Sequence, residues 1–139
     1  MKKITTIIFG IILFTKGITV YAKKPEIKNS WIKFQDAIQK NDTSTVASMS
    51  QFPLISNEFG DKKSKIKNRE QFIKIYNKIF TAHIKSCIKY GELKYKGKPR
   101  PYYSLFCDPG ELNNELPLQL KFTVSNGQFL LTEIDNVNE

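Results

Sequence analysis

His83 is the only histidine in the 139-residue chain, and it falls seven residues after Tyr76. That spacing is two helical turns, so a helix continuing past Thr81 would set both on one face, together with Phe72. A buried His–Tyr pair could serve as acid and base. The carboxylate that would complete such a site is missing from the segments that read as inward. Glu133 and Asp135 stand at the end of a strand, and Asp36 lies on the polar side of a helix. One histidine with two cysteines 20 residues apart, Cys87 and Cys107, matches no zinc spacing. Neither a glycine-rich phosphate loop nor a Gly-x-Ser-x-Gly elbow occurs. The sequence therefore predicts no catalytic residues, no metal and no cofactor.

The first 22 residues read as a secretory signal peptide. Lys2 and Lys3 precede an apolar run from Ile4 to Phe14, and the segment closes on Val20-Tyr21-Ala22. The run is shorter than the roughly 20 residues a membrane span needs, and Lys16 interrupts its extension. Cleavage after Ala22 predicts one exported domain over 23–139, periplasmic or secreted, with no stable membrane anchor. In that oxidising setting a Cys87–Cys107 disulfide would close a loop of about 20 residues. Two buried free thiols are the other reading.

Charge is unevenly distributed. From Asp61 to Arg100 there are 13 Lys/Arg against three Asp/Glu, whereas one lysine faces six acids from Pro101 onward. No nucleic-acid module accompanies the basic region, so nucleic acid is excluded as a partner. Within that region, Lys94, Tyr95, Lys96, Lys98, Arg100, Tyr102 and Tyr103 interleave cations with aromatic rings around two prolines. Such a stretch offers anchors to a protein or an anionic envelope polymer. It also reads as an ordinary exposed loop entering a strand.

The elements that must position these residues are legible from periodicity. The clearest helix runs from Asn68, a capping residue, through Phe72, Tyr76 and Ile79, with Ile73, Ile75 and Phe80 widening its apolar face. Gln71 completes a capping-box-like start. Lys23 to Lys28 reads as a charged leader. A first helix follows from Asn29 or Ser30 to about Lys40, with Trp31, Phe34, Ala37 and Ile38 as its stripe. Asn41-Asp42 breaks it, and Asp42 caps a short second helix with Val46 and Met49 inward. Phe52-Pro53-Leu54-Ile55 is extended, and its proline predicts a sheet edge or a strand start. Gly60-Asp61 turns this arm back through Lys65-Ile66-Lys67. Thr81 caps a further turn or two to Ile88, and Gly91 ends it. Tyr90 to Arg100 is an exposed connection with one ragged strand. Tyr102–Cys107 is a strand stopped by Asp108-Pro109-Gly110, and Glu111 to Glu115 is a polar loop. Leu118 to Val124 alternates with period two, and Asn126-Gly127 turns it into a returning strand from Phe129.

Helices followed by a meander of antiparallel strands predict an α+β domain with helices packed on one face of a sheet. Trp31-x-x-Phe34, Asp42, Phe52-Pro53-Leu54, Asn68 to Phe72, Lys78-Ile79-Phe80 and the closing Asn-Gly hairpin resemble the nuclear transport factor 2-like superfamily, the ketosteroid-isomerase-like fold. The resemblance covers nearly all of 23–139. It implies a curved sheet around a cone, with Phe34, Tyr76, Ile79, His83, Phe106 and Phe122 as lining that forms either a pocket or a filled core. An open cone would hold a small apolar ligand, or host isomerase- or dehydratase-like chemistry at His83 and Tyr76. The superfamily also commonly pairs protomers through the open sheet face, which makes a homodimer an expectation. It hosts enzymes, binding modules and inert dimers alike, so the fold alone selects no function. The residues favour a non-catalytic binding domain. N-terminal sequencing of the exported protein is expected to begin at Lys23-Lys24-Pro25, whereas a membrane-bound chain still starting at Met1 would identify an anchor.

Overall fold

The computed structural model describes residues 23–56, 64–108 and 117–136. The signal segment 1–22, the Gly60-Asp61 turn and the Glu111–Glu115 loop lie outside the described residues. The elements are α1 (Lys23–Gln39), α2 (Thr43–Ser48), β1 (Ser50–Ser56), β2 (Ser64–Ile66), α3 (Arg69–Ile79), α4 (Ala82–Tyr90), β3 (Lys94–Lys96), β4 (Tyr102–Cys107), β5 (Leu118–Ser125) and β6 (Gln128–Asn136). Two compact units divide the chain, Met1–Lys33 and Phe34–Glu139. In the first, helix begins at Lys23 and not at Asn29, so the expected leader is helical. Pro25 falls in the first turn, where its missing N–H leaves no bond unmade, and Glu26 there complements the helix dipole.

The helix ends obey local rules. Asn41 takes the left-handed φ of 54°, and the N–H groups of Asn41 and Asp42 donate to Ile38 O and Ala37 O at 3.2 and 2.9 Å. This pair of bonds is a Schellman closure of α1. Asp42 then accepts from Thr45 N at 3.1 Å and from Thr45 Oγ1 at 2.6 Å, starting α2 at once. Val46 and Met49 are buried, as expected. Asn68 accepts from Gln71 N at 2.9 Å, while Gln71 Oε1 accepts from Lys67 N at 2.8 Å, so the capping box reaches one residue further back than its usual form. Phe72, Tyr76 and Ile79 form the buried stripe of α3. Ile73, expected to widen it, is 41% exposed, because it stands one step round from Phe72 on a helix surrounded by core on one side only.

α3 does not continue past Thr81. Phe80 closes it, and the Thr81 hydroxyl accepts from Ile84 N at 3.4 Å to open α4. The far end of α4 is closed from a distance. Gln35 Nε2 donates to Ile88 O at 2.8 Å, with Lys89 O and Gly91 O at 3.3 and 3.5 Å, and Gln39 Nε2 donates to Lys85 O at 2.8 Å. Of these, the Ile88 and Lys89 carbonyls lie in the last turn and lack a partner inside their own helix, so Gln35 satisfies them, while Gln39 adds a second bond to Lys85 O one turn earlier.

Among the described residues, six strands form one sheet in the order β2-β1-β6-β5-β4-β3. Every neighbouring pair is antiparallel except β1 and β6, which are parallel. The α+β class expected from the sequence is therefore correct, with a sheet that is mixed at one junction. β1 is interior and Pro53 is its fourth residue, contrary to the edge or strand-start placement its proline suggested. Between Ser50 and Ile55 its register with β6 slips, and pairing with β2 starts only at Leu54. Pro53 sits in that irregular interval, where no ladder calls on its absent N–H. At the β5–β6 turn, Asn126 and Gly127 both have positive φ, 51° and 75°, the requirement of a type I′ hairpin.

One face of the sheet carries the core. Leu54, Leu105, Cys107, Leu118, Leu120, Phe122, Leu131 and Ile134 are buried along with Phe34, Ile38, Phe72, Ile79 and Ile88. Cys87 of α4 is bonded to Cys107 of β4, with Cα atoms 5.9 Å apart. This selects the disulfide reading over two free thiols. Loop closure of this length stabilises by about 3 kcal/mol in the chain-entropy model. Chemical denaturation of a Cys87→Ala/Cys107→Ala variant is expected to show a loss of about that size, matched by the reduced natural protein. A midpoint unmoved by reductant would show that the bond is absent.

Candidate functional site

Period-two alternation along β4 sorts the basic-aromatic stretch into two faces. Cys107, Leu105 and Tyr103 face the helices, so Tyr102, Ser104 and Phe106 face the other way. The pairing Lys94↔Ser104, Tyr95↔Tyr103, Lys96↔Tyr102 carries the division into β3. Lys94 and Lys96 therefore share the outer face with Tyr102, and Tyr95 shares the inner side with Tyr103. Phe106, expected to line the cone, is 50% exposed on the outer face, because it alternates between two inward neighbours.

On the outer face, the Tyr102 ring has two ammonium groups over it, Lys96 Nζ at 5.9 Å and Lys121 Nζ at 5.7 Å from its centroid. Lys121 is also tied to β6, 3.4 Å from Glu133 and 3.8 Å from Asp135. Sequence reading overlooked Lys121 because only the β4–β5 register, Ser104↔Lys121, brings it beside Tyr102. The outward half of the β5 alternation was the available signal. Lys94, Lys96, Lys98 and Arg100 are exposed and form no ion pair among the described residues. On the inner side, Tyr95 and Tyr103 rings lie 5.0 Å apart, and Tyr103 reaches Phe129 at 6.2 Å. Burial, and next the neighbouring Tyr95, push the Tyr103 phenol above its ordinary value.

The other expected residues separate. Phe34 and Phe122 are fully buried in an edge-to-face pair at 5.0 Å, and Ile79 is buried. Tyr76 packs with Phe72 and Phe80 at 6.2 and 4.9 Å. His83 is half-buried, its Nε2 donating to the Asp108 carbonyl at 3.2 Å. The helix break at Phe80–Thr81 cancels the two-turn spacing that would have aligned His83 with Tyr76, and the two do not hydrogen-bond. Among the described residues, no cluster of three His, Cys, Asp or Glu gathers to hold a metal. No described helix is long and apolar enough to cross a membrane.

The Tyr76 hydroxyl is the odd polar atom of this core. It is 1% exposed and has no hydrogen-bond partner among the described residues. Burial, and to a lesser degree the Asp42 carboxylate, push its phenol up to about 12. An unsatisfied buried hydroxyl costs about 1–3 kcal/mol, so Tyr76→Phe is expected to stabilise the protein by about 1 kcal/mol at neutral pH. The unfolded phenol ionises near 10, below its folded value, so unfolding releases a proton and stability falls as pH rises from about 10 to 12. The Phe variant lacks that component, and its unfolding curves should drop less steeply there. Destabilisation by Tyr76→Phe at neutral pH would reveal a partner for the hydroxyl.

No family model matches the chain, and no curated protein matches it. Solved structures do. The chain is similar to a designed nuclear transport factor 2-like protein, with 16% identity and a TM-score of 0.43, over 78% of this chain and 94% of that one. It is also similar to a nuclear transport factor 2-like protein of unknown function from Shewanella oneidensis MR-1, with 12% identity and a TM-score of 0.44, over 81% of this chain and 96% of that one.

Proposed function

We propose that this chain is an exported binding domain that acts without catalysis, docking an anionic partner on the outer face around β3 and β4. The observation that carries the reading is the run of four exposed cations, Lys94, Lys96, Lys98 and Arg100, without acidic partners among the described residues, with Lys96 over the Tyr102 ring. Cations left uncompensated on one edge attract a negative surface and raise encounter rates. A flat aromatic ring beside them supplies contact area at low entropic cost. An acidic protein fits first, because tyrosine and arginine are enriched where proteins meet. An anionic envelope polymer is the competing occupant. The Cys87–Cys107 disulfide supports an oxidising compartment, and with it export.

A second reading rests on Tyr76. A small apolar ligand carrying one polar atom would satisfy its buried hydroxyl, and loss of such a ligand on Tyr76→Phe would distinguish it from the surface reading. The primary test replaces Lys94, Lys96, Lys98 and Arg100 with alanine. Exposed charge pairs contribute about 0.2–1 kcal/mol each, so retention on immobilised polyglutamate is expected to weaken about tenfold or more. Retention by the natural protein should fall steeply with salt. Stability should change by no more than about 0.5 kcal/mol per substitution. Equal elution of variant and natural protein would remove this face as the contact.

A further inference from the structure

β3 ends the sheet order, and among the described residues no strand lies beyond it. Its only ladder is with β4, over Lys94, Tyr95 and Lys96. Successive residues of a strand turn their N–H and C=O groups to alternate sides, so β3 presents backbone donors and acceptors to solvent on its free edge. All three residues are exposed, and Tyr95 is 63% exposed despite resting against Tyr103. The edge is accessible along its whole length.

We infer that β3 receives an extended acidic segment of a partner protein, which adds to the sheet as a seventh strand. The inference rests on the surface proposed above and specifies how it is used. Direct cross-strand neighbours share a face. A strand laid along β3 therefore places one residue opposite Lys94, the next opposite Tyr95 and the third opposite Lys96. The complementary triplet is acidic, aromatic, acidic: carboxylates meet the two ammonium groups on the outer face, and a ring meets the Tyr95–Tyr103 pair on the inner side. Lys98 and Arg100 extend the positive field beyond the ladder. The same pattern argues against a second copy of this chain pairing edge to edge through β3. Antiparallel self-pairing centred on Tyr95 would set Lys94 against Lys96 and Lys96 against Lys94, like charges directly opposed. Lysines thus guard the edge against itself and against apolar strands while leaving it open to an acidic one. Backbone bonds supply part of the affinity and alternate side chains supply the selectivity, the general logic of strand addition.

The test uses a nine-residue peptide alternating glutamate and phenylalanine, a lysine-for-glutamate counterpart, and two N-methylated forms of the acidic peptide. One form is methylated at every odd residue and the other at every even residue. Amide chemical shifts of the full exported protein are followed during titration. The acidic peptide is expected to bind and to move the Lys94–Lys96 amides, and the basic counterpart to bind at least tenfold more weakly. One N-methylation register should cost at least tenfold in affinity and the other little, because only one set of peptide amides faces β3. Equal binding by both methylated forms and the parent overturns strand addition. Failure of the acidic peptide to bind, while polyglutamate is still retained through the four cations, overturns it too and leaves the surface reading standing. Loss of discrimination between natural protein and four-alanine variant on polyglutamate overturns the surface reading itself.

Discussion

Cys107 meets Cys87 from the helix-facing side of β4, and a pleated strand sends every second residue the same way. That one bond and the pleat together determine which residues of the basic-aromatic stretch see solvent. With Cys107 inward, Leu105 and Tyr103 are inward, and Phe106, Ser104 and Tyr102 are not. The β3 register passes the same parity to Lys94, Tyr95 and Lys96, and the β5 register passes it to Lys121. A slip of one residue would exchange the faces and bury lysines against the core. The cationic face is thus a property of the sheet, held in place from the helical side.

The helical layer works by closing ends as much as by filling space. α1 is closed by Asn41, α2 is opened by Asp42, α3 by Asn68 and α4 by Thr81. The break between α3 and α4 serves packing. It lets Phe80 turn into the aromatic group with Phe72 and Tyr76, and it directs His83 to the Asp108 backbone. The chain's only histidine is in this way spent on joining α4 to the end of β4. At Gly91 a Cβ would stand 2.5 Å from Leu105 Cδ1 and 2.7 Å from Cys87 O, so a side chain there would push α4 and β4 apart.

Much of this was readable from sequence because it is local. Caps at Asp42, Asn68 and Thr81, the Asn126-Gly127 turn, the β5 alternation and the buried stripe of α3 each depend on neighbours within a few residues. What was not readable depends on partners far along the chain. Pro53 suggested an edge or a strand start, but a register slip against β6 gives it an interior place without a ladder bond. Phe106 looked like lining until the parity of β4 was tied to Cys107. Ile73 looked like core until the width of the surface under α3 was known. In the candidate site the residue types were legible, whereas their division between two faces and the addition of Lys121 came from register.

β6 is the last described strand in sequence, yet it lies between β1 and β5. Without it the sheet is two fragments, the β1–β2 pair and the β3–β4–β5 ribbon. Two-stranded pieces are marginal alone. Joining β1 to β6 matches Ser50 with Leu131, a closure across most of the chain. Such non-local pairing makes folding slow relative to helix formation. With the chain present only as far as Ser125, the described strands can pair only within those two separate pieces. Continuity of the sheet therefore depends on the described strand that comes last in sequence, seated in the middle.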